Sequence, residues 1–130
     1  MQIRESAEDY LETVLMLQSR LGRVRSIDVA NELNYSKPSV SLAMKKFREN
    51  GLVAFDDKGY ISLTDAGRAI AERTFERHNL IASYLMRIGV SEATAREDAC
   101  RIEHALSGES FDKIKEFAAA YESARGKEER

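Results

Sequence analysis

A short alternating stretch inside an otherwise helical pattern is what most constrains this chain. Leu52-Val53-Ala54-Phe55 and Tyr60-Ile61-Ser62-Leu63 flank the turn-forming quartet Asp56-Asp57-Lys58-Gly59, which predicts a small β-hairpin. Upstream the apolar residues keep helical spacing. Ser6 is the expected N-cap of a first helix, with Asp9 three residues later and Tyr10, Leu11, Val14, Leu15 and Leu17 as its apolar stripe. That helix should fade near Leu21-Gly22. A second, short helix is expected to be capped by Ser26 and buried through Ile27, Val29, Ala30 and Leu33. Asn34-Tyr35-Ser36 reads as a tight turn. Pro38 fits the first turn of a third helix, where its missing N–H is harmless, and that helix should run to about Asn50 before Gly51. Val40, Ala43, Met44 and Phe47 are its inward candidates.

Helix, helix, turn, helix, hairpin is the winged helix-turn-helix layout. Beyond it, Thr64-Asp65 should cap a long helix continuing to about Ile88, before Gly89; it would span roughly 36 Å at 1.5 Å per residue. Ser91 should cap another helix through Leu106. A last one is expected over about 109–123, with Phe111, Ile114, Phe117 and Ala118 at helical spacing. The polar tail from Ser123 to Arg130 should fray. The fold class is therefore mainly α: an N-terminal winged helix-turn-helix over 1–64, then an all-α lobe over 65–130.

A hydrophobic content of 43% is enough for a core. No run of about 18 or more apolar residues is present, and no charged segment leading into an apolar stretch opens the chain. A soluble, cytoplasmic protein without a membrane partner is expected. The single cysteine excludes an internal disulfide framework and suits a reducing compartment. The net charge of −2 argues against nucleic acid if taken alone. Its distribution argues the other way. Residues 20–48 hold Arg20, Arg23, Arg25, Lys37, Lys45, Lys46 and Arg48 against only Asp28 and Glu32, an excess of +5, beside an acidic patch of Glu5, Glu8, Asp9 and Glu12.

In a helix-turn-helix the second helix lies in the major groove, and its N-terminal residues meet base edges. Here that start is Ser36-Lys37-Pro38-Ser39-Val40-Ser41. The hydroxyls of Ser36, Ser39 and Ser41 suit bases or phosphates, and the helix N-terminus itself favours phosphate oxygens. Arg25, Lys37, Lys45, Lys46 and Arg48 would supply backbone contacts, and Lys58 at the hairpin tip would touch a flanking phosphate. The duller alternative is a solvated basic face. No Arg or Asn sits early in the third helix, so bidentate base readout is not obvious, and preference would rest on serines, methyl contacts and DNA shape.

A second constellation is Cys100-Arg101-Ile102-Glu103-His104, which pairs the only cysteine with a carboxylate and one of two histidines. Residues three and four apart share a helix face, so thiol, carboxylate and imidazole converge there. Those donors suit a borderline transition metal. The other histidine, His78, and the pair Asp9 and Glu12 can complete such a site. Each has a plainer role: Asp9 in a capping box, Glu12 and His78 on a surface, Cys100 as a small buried hydrophobe. Taken together, several carboxylates gathered without a cation would repel one another.

These residues resemble the diphtheria-toxin-repressor family of metal-dependent regulators, most of all its short manganese-transport-regulator branch. The similarity runs from Glu8-Asp9-Tyr10-Leu11-Glu12 to Phe117, through Ser36-Lys37-Pro38-Ser39-Val40-Ser41, Leu63-Thr64-Asp65-Ala66-Gly67, Arg77-His78 and Cys100-Arg101-Ile102-Glu103-His104-Ala105-Leu106-Ser107. The resemblance implies a homodimer through the C-terminal helices and a double-stranded DNA operator. A divalent corepressor, Mn2+ or Fe2+, is implied as well, with Co2+, Ni2+ or Zn2+ as substitutes in vitro. Asp9, Glu12, His78, Glu103 and His104 match the manganese branch's ligands. Cys100 stands where that branch has a Glu able to bridge two ions. Iron-responsive relatives carry Cys at that place but Met where Asp9 stands. Ala82 and Arg96 fall where the iron branch holds a second site, so that site is expected to be missing. A third, SH3-like domain of longer members is also expected to be lacking.

The resemblance further implies repression of metal-uptake genes when metal is plentiful. A thiol-redox or zinc-responsive regulator sensing through Cys100 is the alternative. An enzyme is not expected: the chain has no second Glu-x-x-His of the di-metal bundle kind, and nothing suggests a small organic substrate.

Overall fold

The computed structural model describes residues 5–128, so Glu129 and Arg130 of the polar tail lie outside the described residues. The elements follow as α1 (Glu5–Leu21), α2 (Ser26–Leu33), α3 (Lys37–Glu49), β1 (Val53–Phe55), β2 (Ile61–Leu63), α4 (Asp65–Arg87), α5 (Glu92–Ala105) and α6 (Gly108–Glu128). The fold is mainly helical, with a small hairpin after the third helix, as the sequence pattern implies. Two compact units, Met1–Phe75 and Glu76–Arg130, divide within α4.

The first unit is built on one apolar cluster. Leu11, Val14 and Leu17 of α1, Val29 and Ala30 of α2, and Val40, Met44 and Phe47 of α3 are all buried in it, together with Leu52, Val53 and Ile61 of the hairpin region. Tyr10 packs edge-on against Tyr35 and Phe47, with ring centroids 5.6 and 5.7 Å away. Such T-shaped pairs add to the burial of area itself. The tight turn between α2 and α3 rests on Asn34, whose φ of 58° is left-handed, and whose N–H returns to the Ala30 carbonyl. Asn is one of the few non-glycine residues that adopts this region readily.

The hairpin is antiparallel, with Val53 opposite Leu63 and Phe55 opposite Ile61. The Asp56 carboxylate accepts from the N–H groups of Lys58 and Tyr60, both at 2.9 Å, and orders the tip. A third short segment joins the sheet: the Ile61 N–H donates to the Val24 carbonyl at 2.7 Å. The start of α4 is bound to the same sheet. The Thr64 hydroxyl donates to the Gly51 carbonyl at 2.6 Å and accepts from the Gly67 N–H at 3.1 Å. A Cβ on Gly67 would lie 2.0 Å from the Leu52 carbonyl oxygen, so only glycine fits there.

The second unit has a smaller core of Ile81, Ala82, Ala95 and Ala99, flanked by Leu85, Met86, Val90 and Leu106. Alanine supplies three of the four buried members, so this core is small in volume. Phe111 of α6 is buried, with the Arg77 guanidinium 4.9 Å from its ring centroid. Exposed ion pairs Glu76–Lys115 and Arg87–Glu122 join α4 to α6. Ile114, Phe117 and Tyr121 of α6 stay exposed. No helix among the described residues is long and apolar enough to cross a membrane.

Several local expectations are corrected. Helix α1 begins at Glu5, so Ser6 lies inside the first turn and is not the N-cap. At α2 the N-cap is Arg25, not Ser26, and the Asp28 carboxylate accepts from the Arg25 N–H at 2.9 Å. The pull of Val24 into the sheet fixes this shift by one residue. Ile27 is 36% exposed, because Val29 and Ala30 hold the inward face of α2. Helix α6 does not stop at Ser123 but continues to Glu128. The tail has no proline, and Ala, Arg, Lys and Glu are good helix formers that outweigh the ~1 kcal/mol penalty of Gly126.

Gly67→Ala tests the close approach at the head of α4. Alanine improves helix propensity by about 1 kcal/mol, yet overpacking against the Leu52 backbone costs roughly 1–3 kcal/mol or more. We expect a lower thermal midpoint, measured by circular dichroism. An unchanged or raised midpoint would contradict the packing.

Candidate nucleic-acid interface and metal centre

The residues expected to meet DNA all reach the surface. Ser36, Lys37, Pro38, Ser39, Ser41, Lys45 and Lys46 are exposed along α3 and its cap, and Lys58 is exposed at the hairpin tip. Ser36 is the N-cap: its hydroxyl oxygen accepts from the Ser39 N–H at 3.3 Å and its proton goes to the Ser39 hydroxyl at 2.7 Å. No acidic residue occupies the first turn of α3, while Lys46 and Arg48 occupy its last. The helix thus offers a bare positive N-terminus and a basic flank to an anion.

Arg25 is exposed as well, and the structure explains its orientation. Its guanidinium lies 4.5 Å from the Tyr60 ring centroid, and that of Arg23 lies 5.3 Å from the same ring. Two guanidinium groups gathered at one ring are a pair of cations that a phosphate neutralises well. Sequence reading passed over Arg23 and Tyr60. The signal was present in the alternation Arg23-Val24-Arg25, where one buried residue stands between two exposed ones. Arg48 is drawn to the Phe55 ring, 5.3 Å away, and so is anchored to the hairpin.

The candidate metal donors fall in both units. Asp9 and Glu12 stand on α1 of the first unit, where Glu12 is buried and Asp9 half-buried. In the second unit His78 sits on α4, while Cys100, Glu103 and His104 occupy consecutive turns of α5. The Glu103 side chain is 1% exposed and that of His104 is 6% exposed, with Glu103 Oε2 3.1 Å from His104 Nδ1. The Cys100 Sγ and a His104 ring nitrogen lie within 4.8 Å of each other. Thiol, carboxylate and imidazole are thus brought together on α5, and burial of a carboxylate at this level demands compensating positive charge or hydrogen bonds. The donor set fits a divalent transition ion. Of the two positions where a second site was not expected, Ala82 is buried in the core, and Arg96 bonds to Glu92 at 3.3 Å and to Asn79 at 3.4 Å.

Comparison with known proteins gives two family models along the chain, which meet between residues 61 and 64. Residues 2–61 match the model described as iron dependent repressor, N-terminal DNA binding domain. Residues 64–125 match iron dependent repressor, metal binding and dimerisation domain. The fold and site define a DNA-binding transcriptional regulator with a metal-binding, dimerising second half, and not an enzyme. The chain belongs to the iron-dependent repressor family, the diphtheria-toxin-repressor family that its motifs resemble.

Among similar proteins is the transcriptional regulator MntR of Escherichia coli O6:H1, 33% identical over 114 residues, covering 88% of this chain and 74% of the relative. The regulator MntR of Lysinibacillus sphaericus is 31% identical over 117 residues, covering 90% and 84%. Among solved structures, the manganese regulator SloR superposes with a TM-score of 0.76 at 27% identity, covering 92% of this chain and 55% of that one. A manganese-dependent transcriptional repressor in complex with manganese gives 0.75 at 29% identity, covering 83% and 50%. This chain therefore spans about half the length of those solved chains.

Removing the α3 cap by Ser36→Ala takes away the acceptor for the Ser39 N–H. A stability loss of about 1 kcal/mol is expected, read as a lower urea midpoint with unchanged slope. No shift in midpoint would show that the cap contributes nothing.

Proposed function

We propose that this protein is a divalent-metal-dependent repressor of metal-uptake genes, acting in the cytoplasm as a homodimer on a double-stranded DNA operator, with Mn2+ or Fe2+ as corepressor. The observation that carries this reading is the buried Glu103–His104 pair beside Cys100 on α5, in a half of the chain whose family model is metal-binding. The proposed DNA-binding domain covers 1–64 and the proposed dimerisation and metal-binding domain 65–130.

In this reading Asp9, Glu12, His78, Cys100, Glu103 and His104 would hold the ion, which supplies the positive charge that their carboxylates and thiolate require. Asp9 and Glu12 belong to the DNA-binding unit, and the α5 donors to the other. Shared ligation would couple the two and fix the recognition helices of a dimer at a spacing suited to successive major grooves. Carboxylates left without that charge repel, and DNA binding then carries an ordering cost. On the DNA side, Arg25, Lys37, Lys45, Lys46 and Lys58 neutralise phosphates, and each such contact steepens the salt dependence by about 0.9. Ser36, Pro38, Ser39 and Ser41 approach the groove at the start of α3.

Cys100 bears on the identity of the metal. A thiolate favours iron, cobalt, nickel or zinc over manganese, and it cannot bridge two ions through two oxygens as a carboxylate does. At least one occupied site per subunit is expected, and the loss of a bridging carboxylate at position 100 weakens the case for a two-metal cluster of the manganese kind.

Anaerobic fluorescence anisotropy on a promoter-derived duplex, with Mn2+, Fe2+, Co2+ and Zn2+ titrated separately, tests the proposal. We expect at least about tenfold tighter binding with the cognate ion, equivalent to about 1.4 kcal/mol of coupling, and loss of that gain in Glu103→Ala and Asp9→Ala. Equal binding in chelator would contradict it. A response abolished by Cys100→Ser but kept in Asp9→Ala would replace it with thiol sensing.

A further inference from the structure

The face that α3 turns away from the core carries an unexpected side chain at its centre. Val40, Met44 and Phe47 point inward and are buried. Leu42 stands opposite them and is 64% exposed. Among the described residues of the first unit no other large apolar side chain is as exposed; Leu21, the next, is at 51%. Single exposed leucines are ordinary on a protein surface. Position makes this one different. Leu42 lies one turn beyond Pro38 and Ser39 and one turn before Lys45 and Lys46, all of them exposed.

Charge identifies what covers it. Helix α3 carries Lys37, Lys45, Lys46 and Arg48 against Glu49 alone, and the Glu lies at its far end. An apolar knob ringed by cations fits a polyanion that offers a methyl group, which is the DNA major groove at thymine. The capping geometry strengthens the assignment. The Ser36 proton is already given to Ser39, and its oxygen accepts from the Ser39 N–H. Ser36 thus commits its hydroxyl proton to the cap and has none left to donate to a base. No Arg, Asn or Gln occupies the outward face of the first two turns of α3 to read purines bidentately.

We propose that Leu42 is a specificity-determining residue that packs on the C5-methyl groups of thymine in each operator half-site. The inference rests on reading α3 as the helix that enters the groove. Burial of one methyl-sized group contributes ~0.8 kcal/mol, which is about fourfold in affinity at 1.4 kcal/mol per tenfold.

The test uses the full chain with saturating Mn2+ and duplexes selected from a randomised library. Each thymine of a half-site is replaced in turn by deoxyuridine, which removes only the methyl. For the natural chain, at least one replacement should weaken binding about fourfold. Leu42→Ala should bind the thymine and deoxyuridine forms of that duplex equally, at the weaker level. Its thermal midpoint should match that of the natural chain, because Leu42 has no place in the core. Leu42→Ala retaining the full preference for thymine at every position would overturn the proposal, as would a natural chain indifferent to every replacement. Lys45→Ala/Lys46→Ala is the control: it should weaken both duplex forms alike and flatten the salt dependence. If that variant binds as the natural chain does, α3 is not the groove helix, and the proposal falls with that reading.

Discussion

The contact between the first turn of α4 and the backbone at Leu52 is the constraint on which the rest depends. Gly67 leaves no room for a side chain, and Thr64 ties the helix start to Gly51 from the other direction. The origin of α4 is thus fixed to the sheet, and the sheet is fixed to α3 through Leu52, Val53 and Phe47 in one apolar cluster. The helix that later carries His78 is continuous with the one that begins at this junction. Helix α4 therefore runs from the sheet of the first unit to His78 without a break in its chain.

Electrostatics divides the labour. Exposed basic residues of the first unit stand on α3, at the hairpin tip and on the Tyr60 ring. The carboxylates of Glu12 and Glu103 are buried. A buried carboxylate is tolerable only when hydrogen-bonded or compensated by positive charge. A small ion of charge +2 would relieve that cost at such a carboxylate. Stability is the modest difference of large terms, so a coupling of one or two kcal/mol between ligation and DNA binding is within reach of a single site.

Most of the architecture was legible in the residues. The hairpin announced itself through period-2 alternation around Asp56-Asp57-Lys58-Gly59, and α3 through Ser36, Pro38 and the Val40, Met44, Phe47 spacing. The misreadings are local, and the one at α2 has a tertiary origin. A serine ahead of an apolar stripe is a good cap in principle, but tertiary pairing of Val24 with Ile61 moved the start of α2. Long-range pairing leaves little trace in a window of ten residues. The α5 donors were legible because three- and four-residue spacing defines a helix face, and the burial of Glu103 adds what spacing could not supply. The Arg23–Tyr60–Arg25 cluster was not legible in the same way, since its members meet across the sheet.

The reciprocity of linkage gives the most direct check on coupling between the ion and DNA. Metal affinity can be measured by competition with a chelating indicator under anaerobic conditions, with and without saturating operator duplex. Saturating DNA should raise the affinity for Mn2+ or Fe2+ by the same factor by which the ion tightens DNA binding, about tenfold or more. An affinity for the ion that is identical with and without the duplex would contradict the coupling and leave metal binding and DNA binding as independent properties of one chain.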